Sequence, residues 1–362
     1  MVKELRIMSI YDSELWTSDL DEIIADLPEL KELTNKKVLI TGCAGLVCSA
    51  VVDVIIRWNE THSGKIKIFA AGRDEKKVAS RFAPYVGKEW FSFVNYDALS
   101  TTNEFPVSCD YIIHGASNAS PEKITKEPVE TMMSNFIGLK NLFDYAKEKQ
   151  IRRVLFISSS EVYGKKDSIQ PYKTKEYGYI DLLNARNSYS VSKRAAETLC
   201  ASYYDEYGVD SVIIRPGHIY GPTAAHSDNR VSSIWAYAAA KGDKIVMKSD
   251  GSQIRSYCYC LDCASAILKV LLKGECLCAY NVSNDNSVIS IKSLAEILSR
   301  VANVALIMES PTETEKKGFN PMNNSSLDSS ELNKLGWAGL FSAERGLTHT
   351  VKILKEAVLA GR

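Results

Sequence analysis

The sequence predicts an α/β protein built on a doubly wound parallel sheet, and three observations carry that prediction. Short apolar runs recur through the first two-thirds of the chain and alternate with segments of helical length and pattern. The runs are continuously apolar, as expected of strands covered by helices on both faces. The first of them passes straight into a glycine turn that opens a helix. That first strand is Lys37–Thr41 (KVLIT), with the helix Leu46–Arg57 behind it. Lys65–Ala71, Trp90–Asn95, Asp110–His114, Arg153–Ser158 and Asp210–Arg215 supply five more strands. Helices are predicted around Val129–Lys149 and over Tyr189–Tyr207. Beyond Pro216 the pattern loosens. Pro216–Gly221 and Lys241–Gln253 read as loops, and Tyr257–Leu261 as a strand. Asp262–Leu272, Ser290–Arg300 and Leu340–Leu359 read as helices. A smaller, discontinuous C-terminal lobe is therefore expected over the carboxyl edge of the sheet, with a ligand crevice between the two parts. Residues 13–33 form an acidic, partly amphipathic stretch broken at Pro28, which predicts an added helix outside the sheet.

Composition removes several function classes. The 362 residues suit about two domains. Forty-four basic side chains balance forty-four acidic ones, which argues against a nucleic-acid partner. No apolar run approaches the roughly 18 residues of a membrane span, so no membrane partner is expected. The N-terminal residues lack the apolar core of a secretory signal. Nine cysteines in such a chain read as reduced thiols, and the expected compartment is the cytoplasm.

The turn after the first strand reads Thr41-Gly42-Cys43-Ala44-Gly45-Leu46-Val47-Cys48. Gly42 and Gly45 let the backbone turn tightly and approach a pyrophosphate at the helix N-terminus. The position usually given to a third glycine is Cys48. The second strand ends Ala70-Ala71-Gly72-Arg73-Asp74, with no acid at its terminus. Arg73 there suits adenine stacking or a 2′-phosphate, and Asp74 suits a ribose hydroxyl, so NAD and NADP both stay open.

Tyr189 and Lys193 stand one helical turn apart, on one face. A tyrosine titrates near ~10, and a neighbouring lysine ammonium together with a nicotinamide ring would lower that value toward a working base. The fifth strand runs into Ser158-Ser159-Ser160-Glu161-Val162-Tyr163-Gly164, which puts hydroxyls at the carboxyl end of a central strand. Such a hydroxyl can hold the same substrate oxygen that the phenolate deprotonates.

These motifs, with His114-Gly115-Ala116-Ser117 and Arg215-Pro216-Gly217-His218-Ile219-Tyr220-Gly221-Pro222, resemble the extended short-chain dehydrogenase/reductases. More narrowly, the set is similar to the NAD-dependent nucleotide-sugar epimerases, dehydratases and decarboxylases. The likeness runs from about Lys36 to Leu306. It implies a Rossmann-type domain over 36–216, an extension over 1–35, and a substrate-binding lobe mainly over 217–362. It also implies a retained NAD or NADP, a nucleoside-diphosphate sugar as substrate, and a homodimer formed through the helices around 129–149 and 189–207. By motif position, Tyr189 is the base, Lys193 its partner and a ribose ligand, and Ser159 the substrate clamp. Gly42, Gly45, Leu46, Val47, Arg73, Asp97 and Ala116 fall on cofactor-contacting positions, and Asn135 on a helix asparagine near the site. Ser117, Ser160, Arg186, His218, Arg230 and Arg255 fall on substrate positions.

The resemblance implies oxidation of the sugar C4 hydroxyl, after which the keto sugar is reduced again, loses water or loses carbon dioxide. Dehydratases of the family carry Asp-Glu after the strand-end hydroxyl, whereas this chain has Ser160-Glu161. Ser-Glu, the His114–Pro121 segment and Arg186 resemble the UDP-glucuronate decarboxylases, which makes Glu161 a candidate catalytic residue. Two features depart from that pattern: Ser-Val-Ser between Tyr189 and Lys193, and His218 where Asn is usual. A 4-epimerase and a non-catalytic cofactor-binding regulator are the rival readings. Cys258, Cys260, Cys263, Cys276 and Cys278 have the density of a zinc site, but they read as buried small residues, and no metal is expected.

Overall fold

The structure is a computed structural model that describes residues 9–166, 168–312 and 322–360. Its main sheet begins with β1 (Lys37–Thr41), β2 (Lys67–Gly72), β3 (Phe91–Asn95) and β4 (Tyr111–His114). It continues with β5 (Arg153–Ile157) and β6 (Ser211–Pro216). A seventh strand, Ala279–Val282, joins beyond β6, and all pairings are parallel in the order β3-β2-β1-β4-β5-β6-279–282. The order reverses between β1 and β4, and doubly wound sheets bind ligands outside the strand ends at that point. Thr41 and His114 are register partners there, with Thr41 Oγ1 2.7 Å from His114 Nδ1. The covering helices include α1 (Glu14–Asp26), α2 (Leu46–Thr61), α3 (Glu75–Arg81), α4 (Pro121–Lys126), α5 (Pro128–Lys149) and α6 (Ser188–Tyr207). Among the described residues no helix is long and apolar enough to cross a membrane.

Past Pro216 the chain is more regular than its pattern suggests. The stretch predicted as a loop holds β7 (His218–Tyr220), and 241–253 holds β8 (Ile245–Met247). β9 is Ile254–Tyr259, which makes β10 the seventh strand of the main sheet. β9 pairs with β7, with β11 (Val288–Ser290) and with β13 (Asn324–Ser325), while β12 (Leu306–Met308) pairs with β8. The remaining helices are α7 (Val231–Lys241), α8 (Cys260–Lys273), α9 (Ile291–Ala302), α10 (Ser330–Asn333) and α11 (Ala343–Ala360). β10 escaped the sequence reading because AYNV is four residues long and carries an asparagine. That asparagine, Asn281, is buried and donates to the carbonyls of Tyr172 and Asp328.

The acidic stretch 13–33 folds as α1 and a 3-10 helix over Pro28–Leu33. Ser13 caps α1 by accepting from Trp16 N–H, and Trp16, Leu20, Ile23, Leu27 and Leu30 are buried. The charged face meets bases on three separate helices. Asp21 pairs with Arg57 of α2 at 2.7 Å, Glu29 with Lys269 of α8 at 2.7 Å, and Glu32 with Lys273 at 2.6 Å. On α11, Arg345 pairs with Glu22, and His349 lies 2.9 Å from the buried Asp19.

Candidate active site

The loop after β1 makes a cradle. Gly42 has φ +69°, and a Cβ on it would stand 2.9 Å from the backbone N of Ala116. The chain therefore needs glycine there both for conformation and for room. Gly45 is the N-cap of α2, so that helix's free N–H groups face the turn. Cys48 is buried, and its Sγ would stand 2.3 Å from a Cβ added to Gly115. The missing third glycine is thus compensated by glycine on the facing loop, and burial pushes the Cys48 thiol up to about 12. A cleft of about 280 Å³ opens beside the cradle. Gly42, Gly45, Arg73, Asp74, Asp97, Ala116 and Ser117 line it, whereas Leu46 and Val47 stand in the first turn of α2 outside the lining. Asp74 is committed to capping α3 through Lys77 N–H, while Arg73 is exposed at the rim. Asp97 accepts from Leu99 N–H at 3.0 Å, and Ser117 Oγ is buried with no hydrogen-bond partner among the described residues.

At the end of β5, Ser159 leaves the strand in extended conformation and caps a 3-10 turn, accepting from Glu161 N–H at 3.2 Å. Its hydroxyl is close enough to the phenol of Tyr189, 7 % exposed in the first turn of α6, to favour that phenol's ionised form. Ser160, half-buried, lies in the same 3-10 turn. Glu161 Oε2 accepts from Ser190 Oγ at 3.0 Å and lies 3.6 Å from the Arg186 guanidinium. Ser159, Glu161, Arg186 and Tyr189 therefore gather at one place.

Burial dominates the electrostatics of Tyr189 and Lys193. Burial pushes the Tyr189 phenol up to about 12, the Glu161 carboxylate adds to the rise, and Ser159 and Arg230 oppose it. Lys193 takes no visible part in lowering it. Its Nζ donates to the Ile157 carbonyl at 2.8 Å and lies 4.5 Å from the Phe156 ring centre. Burial holds that ammonium down to about 7, with Glu197 working against the fall.

Glu197, one turn beyond Lys193, was missed by sequence reasoning. It accepts from Ser158 Oγ at 2.5 Å and from Arg215 Nε at 2.9 Å and Nη2 at 2.5 Å. Arg215, 2 % exposed, continues to Tyr163 Oη, which reaches Asn281 Oδ1 on β10. The signal available was a Glu four residues after Lys on one helix, a spacing read more often as a surface pair. Asn135 on α5 donates to Ser192 Oγ at 3.0 Å from the neighbouring helix.

Arg230 and Arg255 both act on His218, and Arg230 also acts on Tyr189. Arg230 caps α7 and is held by Asp228, whose carboxyl it keeps below the usual range against the opposing effect of burial. Arg255 on β9 is 3 % exposed and donates to the Ile254 carbonyl at 2.9 Å. Burial, Arg255 and Arg230 together hold the His218 ring down to about 3. All nine cysteines are free. Cys258 is on β9, but Cys260 opens α8 and does not share its strand face. Among the described residues no three potential metal ligands gather.

A sequence model described as the NAD dependent epimerase/dehydratase family matches residues 38–283, which span every strand of the main sheet but the first residue of β1. The chain belongs to that family. UDP-glucuronic acid decarboxylase 5 of Arabidopsis thaliana is 30% identical over 275 residues, 75% of this chain and 76% of that protein. UDP-glucuronic acid decarboxylase 1 of Xenopus tropicalis is 26% identical over 331 residues, 90% of this chain and 74% of that one. Among solved structures, the UDP-glucose 4-epimerase of Thermotoga maritima, with UDP-glucose, superposes with a TM-score of 0.75. It is 20% identical, and the match covers 89% of this chain and 99% of that one, so it speaks for the shared fold.

Membership makes this an NAD-dependent enzyme of the epimerase/dehydratase family. The cleft fits that cofactor. The Gly42 approach to Ala116 and the N-terminus of α2 behind Gly45 suit a dinucleotide's phosphates.

Proposed function

We propose that this enzyme decarboxylates a UDP-glucuronate-type nucleotide sugar by way of a 4-keto sugar. The observation that carries the reading is Glu161 held between Ser190 and Arg186, beside the Ser159–Tyr189 pair. The decarboxylase names of its relatives support it. Bound NAD supplies a hydride acceptor for the sugar C4 and a donor for its return. Tyr189 acts as its phenolate, a form that positive charge from Lys193 and the bound nicotinamide would favour against burial; it takes the proton of the C4 hydroxyl as the C–H electrons leave as hydride, and Ser159 holds that oxygen. The resulting ketone is β to the C6 carboxylate, so the C5–C6 bond breaks, carbon dioxide departs and its electron pair passes to the C4 oxygen. Arg186 is the cation placed to hold the carboxylate before it leaves, and Glu161 keeps that guanidinium in position. A proton then adds at C5, and Tyr189 returns its own as the C4 hydroxyl re-forms. Lys193, desolvated beneath the phenol, is the residue for the nicotinamide ribose.

The cradle residues Gly42, Gly45, Arg73, Asp97 and Ala116 take NAD in this reading, and Ser117, Ser160, His218, Arg230 and Arg255 take the nucleotide sugar. The elements after β6 form most of the substrate lobe, with β10 and α8 returning to the main sheet. The active form is a homodimer in the cytoplasm. Val129, Met133 and Phe136 make an exposed stripe at helical spacing on α5, which supports pairing through that helix. Light scattering at the mass of two chains is the expected result.

The deciding experiment is mass spectrometry of the nucleotide sugars after incubation with UDP-glucuronate and NAD. A product lighter by one carbon dioxide is expected. An isomer of unchanged mass would replace this reading with 4-epimerisation, which needs Ser159, Tyr189 and Lys193 but neither Glu161 nor Arg186.

A further inference from the structure

β7 and β9 run in parallel with His218 opposite Tyr257. Side chains alternate along a strand, so Arg255, two residues before Tyr257, shares the face on which His218 and Tyr257 meet. The two rings are 5.6 Å apart. Arg255 is buried, and its hydrogen bond goes to a backbone carbonyl rather than to a carboxylate. Arg230, at the N-cap of α7, is near enough to act electrostatically on both His218 and the Tyr189 phenol. His218 Nδ1 is buried with no hydrogen-bond partner among the described residues. A buried guanidinium without a carboxylate and an orphaned ring nitrogen are each costly to maintain. Together, next to a second arginine, they make a site for an anion, and on the reading above the diphosphate of the substrate is the charge available.

We propose that His218 couples diphosphate recognition to proton uptake: the ring gains a proton as the nucleoside-diphosphate sugar binds. The charged or titratable groups facing the ring are Arg255 and Tyr257 from β9 and Arg230 from the start of α7, with Asp228 engaged by Arg230. A diphosphate cancels the repulsion from both arginines and offers Nδ1 an acceptor, and these two gains favour the protonated ring against its burial. The diester phosphates of a nucleotide sugar do not titrate near neutrality, and the proton must therefore land on the protein. Affinity then rises as pH falls, by at most about tenfold per pH unit for one proton.

Calorimetric titration of the full chain with UDP-glucose and with UDP-glucuronate, in buffers of different ionisation heat between about pH 5.5 and 8, tests this. Wild type should take up as much as one proton per nucleotide sugar at the acid end, and dissociation constants should fall there several-fold. His218→Asn should still bind, with that uptake gone and a flat pH profile. Tight binding by wild type without uptake, or the same uptake by His218→Asn, would overturn the coupling and leave the substrate assignment standing. If neither nucleotide sugar binds at any pH, the substrate assignment falls and the coupling with it.

Discussion

Tyr189 and Lys193 are both held away from their charged forms by burial, one pushed up to about 12 and the other down to about 7. Two outcomes follow at the level of single side chains. Tyr189→Phe removes the proton acceptor and should lower turnover by at least about 10²–10⁴-fold while NAD binding, followed by fluorescence, persists. Lys193→Met should do the opposite to stability. Between pH ~7 and ~10.4 the unfolded lysine binds more protons than the folded one, so wild-type stability rises with pH across that window. The methionine variant should therefore melt higher than wild type near pH 7 in the absence of NAD, and its advantage should shrink as pH approaches 10. A variant that melts lower at pH 7 would show that the Ile157 and Glu197 contacts outweigh desolvation. Both residues were legible because their relation is local, four residues on one helix. What was not legible is their surroundings: Phe156, Ile157 and Ser159 come from β5 and its end, which only folding brings to α6.

Between elements, the largest commitment is the buried Glu197–Arg215 pair, which links α6, β6 and, through Tyr163, β10. Breaking a buried pair leaves an uncompensated charge, so Glu197→Ala should cost about 3–5 kcal/mol in urea unfolding. It also removes the carboxylate that supports the Lys193 ammonium, and NAD affinity should fall with stability. The first six strands could be read directly because their runs are almost continuously apolar and alternate with helices. β7, β8 and β10 are three or four residues each, and such runs carry no periodicity until a neighbouring strand completes their hydrogen bonds. Cys48 is the converse case. The sequence shows a departure from glycine at that place, but the compensating space at Gly115 lies 67 residues away and is visible only in three dimensions.

For the molecule as a whole, the stretch 13–33 is where sequence said least and structure says most. Its acidity was plain, but acids have no meaning until their partners are known, and these lie on α2, α8 and α11. Trp16 is fully buried and meets Tyr259 edge-on at 6.5 Å, so Trp16→Ala should cost about 3–5 kcal/mol in the same urea assay. A loss below about 1 kcal/mol would mean that the segment is an ornament on the surface. The arrangement also has a consequence in time. Residues 14–26 leave the ribosome long before Arg345 and His349 exist, and at about 5–20 residues per second that interval is on the order of 15–65 s. During it, α1 has α2 within reach but neither the guanidinium for Glu22 nor the imidazole for Asp19. The newborn chain thus carries a half-covered tryptophan helix until synthesis is nearly finished, and pausing late in the message should raise its dependence on chaperones.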